Sequence, residues 1–221
     1  MQKFKFSNPE TDEIDYWEIV PVYQAAFAGE PWFEVTKCVD EMDPKRCTGG
    51  LSPLSVGESC DVCELKPARP AYEAAELTQR FKSIEKTRKT MWYFERSGEV
   101  LGLAGLAWIA DARRVAAEKY ADVPTMKDWL LEQVGESDFI WLDEVFANRQ
   151  VRPSGNLKNF GAMCLGFAER LNTDRLAYRT ISPQMIAASK RDFGLLAKVF
   201  VRDEQVCDRR DFVEINLKDQ L

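Results

Sequence analysis

The stretch Phe139-Ile140-Trp141-Leu142-Asp143-Glu144-Val145-Phe146-Ala147-Asn148, continuing through Arg149-Gln150-Val151-Arg152-Pro153-Ser154-Gly155, decides the architecture. Its first part is rich in β-branched and aromatic residues and predicts a strand over 139–148, with two carboxylates in its middle. From Gly155 onward Leu157, Phe160, Met163, Leu165, Phe167 and Leu171 recur at helical spacing, so a long helix follows. A strand that turns into a helix places unsatisfied N–H groups and the positive end of a helix dipole at the turn. Gln150, Arg152 and Gly155 suit that turn to phosphate or pyrophosphate, because a small residue lets the anion approach.

Toward the N-terminus, alternation over 3–6 predicts a short strand, and Ile14, Trp17, Ile19, Val20, Tyr23 and Phe27 predict a helix over 12–28 ended by Gly29. Residues 36–70 carry glycines, prolines and four cysteines with little periodicity, and read as a loop. A second helix is predicted over 71–89. Strands over 90–95 and 100–109 then flank Arg96-Ser97-Gly98-Glu99, a hairpin signature. Residues 110–135 form a polar, mostly helical excursion interrupted by Pro124. Toward the C-terminus come a strand over 176–181, a helix over 185–193 with Pro183 at its start and Gly194 at its end, and strands over 197–201 and 212–217. The order β, α, α, β, β, β, α, β, α, β, β predicts one α/β domain over 1–221, a central sheet with helices on both faces.

Composition narrows the chemistry. The 221 residues, 45% hydrophobic and 30% charged, have the profile of a globular domain with a sizeable core. A formal charge of −6 gives no global field toward nucleic acid or an anionic membrane. The N-terminus has no continuous apolar stretch like that of a signal peptide, and the longest apolar run, 100–110, is too short to span a bilayer. A cytoplasmic protein is expected. The chain has no histidine, which excludes Ser-His-Asp and Cys-His catalysis and every histidine-ligated metal site. Acid–base chemistry must come from carboxylates, Tyr, Cys, Lys or water.

Four of the six cysteines cluster: Cys38, Cys47, Cys60 and Cys63, the last two framing a CxxC knuckle. A two-residue spacer lets one turn present two sulfurs to one ion, and four thiolates complete a tetrahedral zinc shell. With no coordination position left open, such a Zn²⁺ is structural, stapling an insert over 36–66. The rival readings are a redox CxxC, which expects an adjacent βαβ unit absent here, and four unrelated buried thiols. Cys164 lies on an apolar helix and reads as core.

The element order and the turn together resemble the GNAT superfamily of acyl-CoA N-acyltransferases. The pyrophosphate loop of that family reads Q/R-x-x-G-x-G/A, and residues 150–155 match it with Pro153 in place of the first glycine. A second register, Arg152-x-x-Gly155-x-Leu157, keeps that glycine and loses the last. The resemblance implies a GNAT-like mixed sheet and acetyl-CoA as cosubstrate. Val145 and Ala147 would contact it from the strand, and Gln150, Val151, Arg152, Ser154, Gly155 and Asn156 from the turn. It also implies that the strand over 139–148 splays from its neighbour to receive the pantetheine arm, and that the acceptor is a primary amine of a small molecule or protein. The usual tyrosine of the last long helix is absent from 182–191, which leaves Ser189 or water to protonate the departing thiolate.

For the base, Glu144 is assigned. Strand alternation puts it opposite Asp143 and on one face with Ile140, Leu142 and Phe146, where desolvation would raise its pKa. The alternative is that both carboxylates are ion-paired or solvated sheet residues. Phe27, Trp32 and Phe33, just before the cysteine insert, would wall the acceptor pocket or anchor the loop. A competing function is a GNAT-like module that no longer catalyses, whose zinc insert recognises protein or nucleic acid.

Overall fold

In a computed structural model, residues 2–27, 72–120, 127, 128, 130–132, 137–148, 150, 151, 157–180, 182–200, 211–218 and 220 are described. They include seven strands and five α-helices: β1 (Gln2–Ser7), α1 (Tyr16–Phe27), α2 (Ala74–Thr87), β2 (Thr90–Ser97), β3 (Val100–Ala110), α3 (Ala112–Lys119), β4 (Phe139–Ala147), α4 (Phe160–Leu171), β5 (Arg175–Thr180), α5 (Pro183–Phe193), β6 (Ala197–Phe200) and β7 (Asp211–Asn216). The strands make one sheet in the order β1-β2-β3-β4-β5-β7-β6. Every pairing is antiparallel except β4 with β5, which is parallel.

Local chemistry sets the boundaries. Asp15 caps α1, its carboxylate accepting from the N–H groups of Trp17 at 3.0 Å and Glu18 at 3.3 Å. The β2–β3 hairpin closes over Gly98 and Glu99, with Gly98 at φ 65°, a conformation that glycine adopts without steric cost. Pro183 opens α5, as predicted, and Ser182 caps it.

The sheet is covered on both faces. On one face α1, α2 and α3 bury Ile19, Leu77, Phe81 and Val115 against Trp92, Trp108, Trp141 and Phe146. On the other, α4 and α5 bury Phe160, Met163, Phe167 and Ala188 against Leu103, Ile140, Leu142 and Tyr178. Burial of these rings and branched chains is the main force fixing the layers. Helix α4 lies close because Gly166 faces Phe6: a Cβ there would meet the ring at 2.1 Å.

Two expectations are corrected. Trp17, placed on the buried stripe of the first helix, is 90% exposed, while Ile19, Val20, Tyr23 and Phe27 carry that stripe. The helix after the turn starts at Phe160, not Gly155. Leu157 is buried and so continued the apolar spacing, but it belongs to a turn closed by the Phe160 N–H on the Leu157 carbonyl at 3.0 Å.

Candidate active site

Strands β4 and β5 pair at two positions, Ile140 with Leu176 and Trp141 with Ala177. Beyond them the two strands line a cleft of about 280 Å³, with Leu142, Asp143, Glu144 and Val145 on one side and Tyr178, Arg179 and Thr180 on the other. Tyr23 and Phe27 of α1, Arg80 of α2 and Lys119 of α3 complete its wall on one face of the sheet, and Met185 of α5 contributes from the other.

A β-bulge shapes the floor. Leu106 pairs with Glu144 while the next residue, Ala107, pairs with Leu142, so Asp143 is an extra residue in β4. The extra residue resets the alternation. Ile140 and Leu142 face α4 and α5; Asp143 reaches Lys119 and Glu144 reaches Arg80, both on the α1–α3 side, where Phe146 also packs. The expectation that the carboxylates oppose each other, with Glu144 beside Ile140 and Leu142, therefore fails. Both acids point to the same face because the bulge supplies the missing half-period.

Each acid has a cation. Glu144, 8% exposed, is ion-paired with Arg80, whose other terminal nitrogen donates to the Tyr23 hydroxyl at 3.3 Å. The Asp143 side chain, 1% exposed, accepts from Lys119 Nζ at 2.5 Å and Trp141 Nε1 at 3.0 Å, both on Oδ1. Its Oδ2 is buried with no hydrogen-bond partner among the described residues. Burial alone would raise the Asp143 carboxyl. Lys119, Arg80 and the Trp141 N–H outweigh it and hold the group below the usual carboxylate range.

On the opposite face Tyr178 is buried, its hydroxyl 2.5 Å from Ser189 Oγ and 3.3 Å from the Met185 carbonyl. Burial pushes this phenol far up, so it is protonated at any ordinary pH. Ser189, singled out from sequence, is itself fully buried behind Tyr178.

At the start of the turn, Asn148 accepts the Gln150 N–H on Oδ1 at 3.0 Å and the Val151 N–H on its carbonyl at 3.1 Å. Val145 and Ala147 pack toward α4 and α5, and Gln150 is exposed. Arg152, Ser154, Gly155 and Asn156 lie outside the described residues, as do Cys38, Cys47, Cys60, Cys63, Cys207, Trp32 and Phe33. Among the described residues no group of three Cys, Asp or Glu could hold a metal, and Cys164 is a fully buried thiol that burial pushes up. No helix among them is long and apolar enough to cross a membrane. At the N-terminus of α4, the N–H groups of Phe160, Gly161 and Met163 are taken by Leu157, Asp192 and Asn159. These three N–H groups are therefore committed within the chain.

Sequence reasoning missed Arg80, Lys119 and Tyr178. Arg80 and Lys119 sit on charged helices, where nothing in the spacing separates a cleft cation from a solvated one.

A solved structure of an apo-form mutant of agmatine N-acetyltransferase superposes with a TM-score of 0.50 at 10% identity, over 97% of this chain and 100% of that one. The fold is GNAT-like. Two further acetyltransferases align over comparable lengths. PaiA N-acetyltransferase from Thermoplasma acidophilum in complex with coenzyme A has a TM-score of 0.47 at 10% identity, over 98% and 99% of the two chains. Drosophila melanogaster polyamine N-acetyltransferase has 0.45 at 12%, over 97% and 100%. No family model and no curated protein matches the sequence.

Proposed function

We propose that the chain is an acyl-CoA-dependent N-acyltransferase, with acetyl-CoA as the donor and a primary amine as the acceptor. The observation that carries this reading is the divergence of β4 from β5 after two paired positions, which opens a cleft floored by two acids at a bulge. Such a divergence exposes strand backbone to an extended amide-bearing arm, the same chemistry as adding a strand to a sheet edge. The reaction forms a bond from the amine nitrogen to the thioester carbonyl carbon and breaks the carbon–sulfur bond, its electrons leaving with sulfur. The amine must lose a proton and the sulfur must be stabilised. Glu144 takes the proton, directly or through water, with Arg80 orienting its carboxylate. Tyr178, rather than Ser189, is the donor to the departing sulfur. A phenol raised this far supplies a hydrogen bond more readily than a proton.

Residues 150–156 hold the pyrophosphate in this reading. Acetyl-CoA at 100 times its Kd should stabilise the native state by about 2.7 kcal/mol, read as a rise in melting temperature. Arg152→Glu and Gly155→Val should abolish most of that rise without lowering the melting temperature of the free protein. An unchanged rise in both variants would move the site elsewhere.

The reading also keeps Cys38, Cys47, Cys60 and Cys63 as ligands of one structural Zn²⁺, on the chemistry of four clustered thiols. Elemental analysis of gently purified protein should find about one zinc per chain. It should fall on Cys60→Ser. Metal below about a tenth of an equivalent, with the four thiols freely titratable, would contradict the site.

A further inference from the structure

The charges around the cleft select the acceptor, an inference that rests on the N-acyltransferase reading above. Among the described residues its lining holds three cations, Arg80, Lys119 and Arg179, against two carboxylates, Asp143 and Glu144. Both carboxylates are already ion-paired, one with Lys119 and the other with Arg80. A polyamine brings a second positive charge, and binding it would require a carboxylate not yet committed. The described lining offers none.

Arg80 points to a different ligand. Its guanidinium carries five N–H donors; one terminal nitrogen serves Glu144 and the other serves the Tyr23 hydroxyl. The side chain is 36% exposed and lines the cleft, so the remaining donors can reach a planar anion. Asp143 Oδ2 adds an independent sign, a buried acceptor still lacking a donor in a residue that lines the same cleft. We infer that the acceptor is a small α-amino acid, its carboxylate on Arg80 and its amine toward Glu144, with the buried Asp143 carboxylate behind it adding negative potential. An α-amino acid carries both charges within one short span, so it can lie head to tail on the Arg80–Glu144 pair and match each charge with its opposite.

The test uses the full chain with acetyl-CoA, following thiol release with common α-amino acids, their carboxamides, agmatine and spermidine. At least one amino acid should exceed its own carboxamide in kcat/KM by roughly 10- to 100-fold, the scale of a hydrogen bond to a charged group, and should exceed both polyamines. Arg80→Gln should remove that preference and, because Arg80 also orients Glu144, lower kcat on acid and amide alike, while acetyl-CoA affinity holds. Equal rates on acid and amide, faster transfer to agmatine or spermidine, or no transfer to any amino acid would each overturn the inference. A parallel titration with acetyl-CoA separates the two levels. If acetyl-CoA binds, the acceptor inference falls alone; if it does not, the acyltransferase reading falls with it.

Discussion

Glu144→Gln is expected to lower turnover by roughly 10²-fold at neutral pH, the lower part of the range for a general base. Glutamine keeps the shape and can still accept from Arg80, but it cannot take the amine proton. In this reading Glu144 meets the acceptor amine through its carboxylate while the pantetheine arm pairs with strand backbone, so acetyl-CoA affinity should barely move. The loss should shrink as pH rises, since the amine then arrives neutral and needs no base. Asp143 shares the face, but its Oδ1 is committed to Lys119 and Trp141 and its side chain is closed to solvent. Near wild-type turnover of Glu144→Gln on a verified acceptor would remove Glu144 from the mechanism and direct attention to Asp143→Asn.

Lys119→Met is expected to destabilise the fold by about 3–5 kcal/mol at neutral pH, measured as a lower urea midpoint, because it strands a buried carboxylate. Asp143 is almost wholly enclosed, and the Lys119 ammonium at 2.5 Å is its closest cation. With that ammonium gone, burial is opposed only by Arg80 and the Trp141 N–H. The pH dependence has a definite sign. In the wild type the Asp143 carboxyl is depressed, so its contribution is fully present above the ordinary aspartate pKa of about 3.9 and is lost as pH falls through the folded value. In the variant the same carboxyl titrates at higher pH and regains neutrality sooner on acidification. The deficit should therefore narrow between pH 7 and about pH 4. A deficit under about 1 kcal/mol, the scale of an exposed pair, or one independent of pH, would show that the pair is not a buried one.

The elements were largely legible in the sequence because their signals are local. Alternation and β-branching marked the seven strands. Gly98 marked the hairpin, and Pro183 and Gly194 marked both ends of α5. The divergence of β4 and β5, expected from the family resemblance, is present in the pairing. The bulge was not legible. Nothing in Leu142-Asp143-Glu144-Val145 carries the glycine or proline that often signals an interrupted ladder, and only the pairing with β3 shows which residue is extra. That one residue reversed the expected surroundings of Glu144. The start of α4 was misplaced for a related reason, since buried Leu157 extends the helical spacing by one turn although it packs from a non-helical segment. The cations paired with the two acids come from α2 and α3, far away in sequence, and long-range ion pairs leave no spacing to read.

The position of acetyl-CoA in a crystal of the complex tests the proposed chemistry most directly. The pantetheine arm should run between β4 and β5 alongside Leu142, Asp143, Glu144 and Val145, with the thioester facing Glu144 on one side and the Tyr178 hydroxyl on the other. An arm bound elsewhere on the protein, or a cleft still empty of coenzyme A at saturating concentration, would contradict it.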